Sequence, residues 1–221
     1  MHRPAANAPI ELSLTIERKE VLHFLGYPSG ERAPARIEAL LAQALAEARR
    51  LAHSRGVYAS LPVERAAEVG LEPIDATGLV IGMVTAGDGI ERRAAEAMDR
   101  GAATEALLLD AAGSAAAEEA ADRLSAVISG DESAELRPVS CRVSPGYGHW
   151  PLAAQAALFE RLPHESIGVT LLPSMLMVPR KSISFAMWLG ADARPIAGLA
   201  GCARCRLEHC RYRRVSAPEE S

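Results

Sequence analysis

An alanine-rich stretch from Ala102 to Ile128 constrains the fold of this chain more than any other part. It reads as one long helix with Gly113-Ser114 inside it. A glycine within a helix costs about 1 kcal/mol relative to alanine, so another backbone or a ligand can be expected to come close there. A second long helix is read from Ala33 to Arg55. Its Ile37, Leu40, Leu41, Ala44, Leu45, Ala48 and Leu51 recur at helical spacing, and Gly56 is taken to stop it.

The remaining elements are short. Ile10 to Glu17 alternates strictly, with Ile10, Leu12, Leu14 and Ile16 on one face, and so reads as a half-buried strand. A short helix from Arg18 to Leu25 runs into the turn Gly26-Tyr27-Pro28. Val57 to Val63 reads as a strand interrupted by Pro62, and Leu79 to Val84 is an apolar run typical of a buried strand. Thr85-Ala86-Gly87-Asp88-Gly89 then leads into a helix. It lacks the third glycine of a dinucleotide fingerprint and has no Gly-Lys-Ser/Thr, so Asp88 with Glu91 reads as a helix cap and its partner. Leu136 to Val143 reads as a strand, Leu152 to Leu162 as helical and Ile167 to Leu172 as a strand. Ser182 to Leu189 is a strand with Ser182, Ser184, Ala186 and Trp188 on one face and Ile183, Phe185, Met187 and Leu189 on the other. Short strands with two long helices make a mixed α+β domain, without the regular alternation of a doubly wound sheet.

Charge and hydropathy narrow the function. A formal charge of -4 with no basic stripe beyond Arg211, Arg213 and Arg214 gives no reason to expect nucleic acid or an anionic membrane surface. Met1 to Pro9 has no apolar run, and no window approaches the roughly 18 consecutive apolar residues of a membrane span. The chain therefore reads as soluble and cytoplasmic.

Two segments carry unusual chemistry. The first is Cys141-Arg142-Val143-Ser144-Pro145-Gly146-Tyr147-Gly148-His149-Trp150-Pro151. Pro145-Gly146 marks a tight turn. It sets Arg142, a planar fork for a carboxylate or phosphate, against Tyr147, a flat face with a hydroxyl tip. Such a pair suits a small ligand with an acid at one end and a flat or cationic group at the other. It equally suits a strand ending in a tight turn, with Tyr147 and Trp150 as half-buried anchors. The second segment is Cys202-x-x-Cys205-x-x-x-x-Cys210, with His209 alongside. These thiols can fill three corners of a tetrahedral metal site, with Cys141, His209, a partner residue or a small molecule as the fourth ligand. Spacing alone does not separate zinc from an iron–sulfur cluster. Residues 1–200 read as one domain and 201–221 as a Cys-rich C-terminal tail.

Arg142-Val-Ser-Pro145-Gly146-Tyr147-x-x-x-Pro151 resembles the Arg-x-x-Pro-Gly-Tyr-x-x-x-Pro motif of the reactivation (activation) domain of cobalamin-dependent methionine synthase. Other segments are similar in the same order: Arg18-Lys-Glu20 to Gly26-Tyr27, Glu105 to Asp110, Ala115 to Ala121, Ile167 to Ser174, Met177-Val-Pro179 and Lys181-Ser182-Ile-Ser184. The resemblance implies a mainly antiparallel, twisted sheet with two long helices. It also implies S-adenosylmethionine binding, with Arg142 on the methionyl carboxylate, the Pro145-Gly146-Tyr147 turn lining the ligand and Glu118 facing the site. The implied role is reactivation: remethylation of cob(II)alamin after one-electron reduction. The chain lacks an Asp-x-His-x-x-Gly corrinoid motif, so the cobalamin would sit on a partner methionine synthase module in trans, with a flavodoxin- or ferredoxin-like electron donor. It also lacks the Ile-Asp-Trp segment with which the large enzymes begin this domain. Two alternatives remain: a zinc or iron–sulfur accessory module built on the cysteines, and a non-catalytic partner of a corrinoid protein.

Overall fold

The computed structural model describes residues 8–28, 32–134 and 138–190. Its elements in order are β1 (Ile10–Glu11), α1 (Arg18–Phe24), α2 (Ala35–Leu51), β2 (Arg55–Leu61), β3 (Gly78–Thr85), α3 (Gly89–Asp99), α4 (Ala103–Ala134), α5 (Gln155–Phe159), β4 (Thr170–Leu171), β5 (Met177–Val178) and β6 (Ser182–Leu189). Short 3-10 turns occupy Val63–Val69, Leu152–Ala154 and His164–Ile167. The main sheet has the order β1-β2-β3-β6 with every neighbouring pair antiparallel. The mixed α+β architecture with an antiparallel sheet and two long helices is thus as expected.

β3 is central, and all eight of its residues are buried. Its alternate side chains go to opposite layers, because successive residues of a strand point to opposite faces. Val80 and Val84 pack with Phe185, Met187 and Leu189 of β6 against the second half of α4, at Ala120, Ala121, Leu124 and Ile128. Leu79, Ile81 and Met83 pack with Ala186 and Trp188 on the far side, among Trp150, Leu158 and Phe159. The first half of α4 instead meets α1, α2 and α3 through Leu108, Leu109, Ala112, Ala115 and Ala116. A helix buried on so many sides needs small residues, since only short side chains let neighbouring elements approach. This is the structural use of its alanines.

Several local expectations change. The Ile10–Glu17 alternation survives in burial, with Leu12 and Ile16 buried and Ser13, Thr15 and Glu17 exposed. As a ladder, however, only Ile10 and Glu11 pair with β2. Beyond them the backbone is held by side chains instead. The Glu119 carboxylate accepts from Thr15 N (3.0 Å), Thr15 Oγ1 (2.8 Å) and Ile16 N (2.7 Å), while Arg49 donates to Thr15 O (2.6 Å) and Ile16 O (3.0 Å). α2 ends at Leu51, and Gly56 lies within β2. Asp88 makes no capping bond and pairs with Arg92 at 3.3 Å, while Glu91 accepts from Arg180 N at 2.9 Å, so the capping-box reading is overturned. Of Ile167 to Leu172 only Thr170 and Leu171 form a strand, because Ile167 closes a 3-10 turn. At Gly113 the close approach expected from the sequence is made by the Lys181 stem: a Cβ there would stand 3.0 Å from Lys181 Cε. Lys181 Nζ lies 2.8 Å from Asp110 Oδ1 and donates to Ser114 Oγ at 2.9 Å, so this buried amine has both a counter-charge and a neutral acceptor.

Two stability predictions follow from this packing. Gly82 faces Phe185 across the β3–β6 ladder, and a Cβ on Gly82 would stand 2.6 Å from the Phe185 ring. Gly82→Ala is expected to lower the unfolding free energy by about 1–3 kcal/mol through overpacking, measured by urea denaturation. Adding Phe185→Leu should restore part of it; an unaffected Gly82→Ala protein would mean that the ring does not cover the glycine.

The second concerns Glu119. Burial pushes its carboxyl pKa up, but the bonds from Thr15, Ile16 and Arg123 outweigh that and bring it below the ordinary value. A depressed folded pKa contributes stability above the unfolded value, which disappears as pH falls through the folded one. Glu119→Gln should therefore cost about 1–2 kcal/mol near neutral pH, a figure discounted for partial exposure. The gap between the two proteins should close in acid, below the ordinary carboxylate range. A gap that stays constant with pH would sink this account.

Candidate functional site

The Cys141–Pro151 segment runs along the free edge of β6. Val139 and Val143 bridge Leu189 and Ala186, and Ser140 N donates to Trp188 O at 2.9 Å. Three residue steps on β6 thus face four on this segment, so one residue is extra between Ser140 and Val143. A β-bulge of this kind re-aims side chains and interrupts the ladder, which is why the expected strand Leu136–Val143 appears only as isolated bridges. The consequence is visible in the core. Val139 packs on the α4 side of the sheet, whereas Val143 packs on the opposite side. Without the extra residue the two valines, four apart, would share a face. Arg142, next to the inversion, is released toward α4.

There it meets two acids one helical turn apart. Arg142 Nη2 donates to Glu118 Oε2 at 2.5 Å, and Nη1 donates to Asp122. Burial lowers the guanidinium pKa, but the Asp122 hydrogen bond and the charges of Glu118 and Asp122 outweigh it, and the net shift is upward. Glu118, expected from the resemblance, is therefore beside Arg142. Asp122 went unread in the sequence. Its signal was available, since residues four apart share a helix face.

A groove of about 260 Å³ opens on the same acids, lined by Thr15, Glu17, Lys19, Glu20, Ala115, Glu118, Glu119, Asp122 and Arg123. Acids outnumber bases there, so its field favours a cationic group. Its other wall is the Thr15–Glu20 segment, which Glu119 fixes in place. No local sequence signal connects that segment to α4.

The turn that follows is built as its residues require. Pro145 is buried, and Gly146 has φ +92°, a conformation open to glycine at no steric cost. Gly146 N donates to Trp150 O (2.8 Å) and Trp150 N to Tyr147 O (3.1 Å). Trp150 is fully buried, with its indole N–H on Val69 O at 2.8 Å. Tyr147 is 66% exposed. Of the two rings expected to be half-buried anchors, one is a core residue and the other faces solvent.

Cys141 is exposed on the bulge. Cys202, Cys205, Cys210 and His209 lie outside the described residues, as does the proposed boundary between the domain and its tail. Among the described residues no group of three or more His, Cys, Asp or Glu could hold a metal, and no helix is long and apolar enough to cross a membrane.

No protein-family pattern and no curated protein matches the sequence. Among solved structures, the chain is similar to the crystal structure of the MetH reactivation domain bound to AdoHcy. The match has a TM-score of 0.60 at 15% identity and covers 85% of this chain and 81% of that one. Identity this low leaves function to the site chemistry, but the extent of the match establishes the architecture: the chain has the fold of the MetH reactivation domain.

Proposed function

We propose that this protein binds S-adenosylmethionine and serves as the reactivation component of a cobalamin-dependent methyltransferase system, acting on a corrinoid protein in trans. The observation that carries the reading is Arg142 bridged between Glu118 and Asp122, two of the acids that line the groove, within a fold shared with a solved structure that holds AdoHcy.

The donor set fits the amino-acid end of such a ligand. An α-amino acid presents a carboxylate and an ammonium close together. Arg142 would take the carboxylate, while Glu118 and Asp122, freed from the guanidinium, would take cationic groups. Each internal ion pair is thereby exchanged for an equivalent one with the ligand, so no charge is left uncompensated. The groove is smaller than the roughly 300–1,000 Å³ of a closed small-molecule pocket, so it would hold the methionyl end and leave the rest of the ligand at the surface. When bound, S-adenosylmethionine supplies a methyl group to the reduced corrinoid.

The protein's own residues bind and orient that donor. A second observation supports a partner in trans. Tyr147, Leu152, Leu172, Leu176 and Val178 are large, apolar and exposed. The β4–β5 hairpin that carries three of them is tied to α5 by Gln155 Nε2 donating to Met175 O at 2.8 Å. Exposed apolar groups gathered in this way mark interaction surfaces.

Calorimetry with S-adenosylmethionine on wild type and Arg142→Ala tests the site. No binding by wild type, or equal binding by both, overturns it. Complex formation with a corrinoid protein but an unchanged rate of cobalt remethylation would instead favour a purely structural partner.

A further inference from the structure

We propose that Glu119 and Arg49 are positioning residues for the ligand: from two different helices they grip Thr15 and Ile16 and so hold the second wall of the acidic groove in its binding form. The inference rests on the proposed binding of S-adenosylmethionine in that groove.

One wall of the groove is α4, with Ala115, Glu118, Glu119, Asp122 and Arg123; the other is the strip of chain carrying Thr15, Glu17, Lys19 and Glu20. α4 is held by its own helical bonds. The strip has less to hold it, because ladder pairing to β2 ends at Glu11 and α1 begins only at Arg18. Between them Ile16 is fully buried and has φ +44°. A left-handed backbone is a true outlier for a β-branched residue and persists only where the surroundings enforce it.

Two charged side chains do so. Glu119 takes the donors, Thr15 N and Oγ1 on Oε1 at 3.0 and 2.8 Å and Ile16 N on Oε2 at 2.7 Å. Arg49 takes the acceptors, Thr15 O at 2.6 Å and Ile16 O at 3.0 Å. Every backbone polar group of the two residues is thereby bonded to an ionised partner, the stronger kind of hydrogen bond. A carboxylate is required, because donors converge on both of its oxygens; a glutamine would turn its NH2 toward one of them. Arg49 does not line the acidic groove. It lines a separate one of about 320 Å³ with His53 and Ser54, so its geometry reaches the ligand through the segment it holds.

The test is calorimetry on the full chain with S-adenosylmethionine and with S-adenosylhomocysteine, which lacks the sulfonium charge. Glu119→Gln, which keeps the bulk, and Arg49→Met should each weaken both ligands by about fivefold or more. The double variant should lose less than the product of the two, since both act through one segment. Arg49→Lys keeps the charge without the fork and should stay weaker than wild type. Hydrogen exchange should show the Thr15 and Ile16 amides losing protection in Glu119→Gln. Arg49 is exposed, so Arg49→Met should keep the wild-type circular dichroism spectrum and decides the question even if Glu119→Gln fails to fold. Wild-type affinity in Arg49→Met overturns the inference and leaves the ligand site standing. So does full recovery in Arg49→Lys, a double variant that loses the full product, or a Glu119→Gln loss confined to S-adenosylmethionine, which would put Glu119 on the sulfonium instead. Absence of binding by wild type overturns the proposed function, and this inference with it.

Discussion

Arg142→Ala is expected to weaken S-adenosylmethionine binding by roughly tenfold to a hundredfold. That range corresponds to the 1.5–3 kcal/mol that hydrogen bonds to a charged group typically contribute. The guanidinium is only partly exposed and already shares its two amino groups between Glu118 and Asp122. In the proposed binding mode its removal takes away the carboxylate's partner, and it leaves two acids four residues apart without their common counter-charge. Both changes repel an anionic ligand end. Arg142→Lys separates the two effects, because lysine restores charge but not the planar fork. It should recover part of the affinity, whereas a site that needs only a positive charge would recover all of it. Glu118→Gln should weaken binding less than Arg142→Ala, since Asp122 still offers a carboxylate. Isothermal calorimetry at low and moderate salt reads all three variants. The difference between wild type and Arg142→Ala should persist in salt, as the ion pairs are partly shielded from solvent.

Trp150→Ala should produce the largest loss of stability, about 3–5 kcal/mol, the usual range for removing a buried aromatic side chain. The indole fills the layer on the far side of the sheet with Leu158, Phe159 and Trp188, and its N–H satisfies the Val69 carbonyl. A small domain has only about 5–15 kcal/mol in total, so this single change would remove about a fifth of it or more. Trp150→Phe is the informative companion. It keeps most of the apolar contact but leaves the Val69 carbonyl without its donor, a cost of about 1–3 kcal/mol. Urea denaturation gives the stabilities. If Trp150→Ala unfolds as wild type does, the far-side core does not depend on this ring.

The elements that the sequence showed well are those whose cause is local. β6 spans Ser182–Leu189 with the two faces its alternation predicts, and β3 extends the Leu79–Val84 run by one residue at each end. α2 and α4 follow the spacing of their apolar and alanine residues. The Pro145-Gly146 turn forms where those residue types stand. Strand alternation, helical period and turn chemistry act over a few residues, so one segment of sequence contains them.

The Ile10–Glu17 segment shows where this ends. Its alternation correctly predicted which side chains are buried, but not that Glu119 and Arg49, from two different helices, replace the ladder partners of its backbone. The inserted residue that separates Val139 from Val143 cannot be read from their spacing, because it exists only relative to β6. The same holds for Lys181 against Gly113, and for the acidic groove between Thr15–Glu20 and α4. That residues 142 and 118 are an arginine and a glutamate is in the sequence, and the expectation that both face a charged ligand came from the Arg142 fork and, for Glu118, from the resemblance. That they meet, and that Asp122 joins them, was decided by a one-residue mismatch between paired strands, a property of two segments distant in the chain that only folding brings side by side.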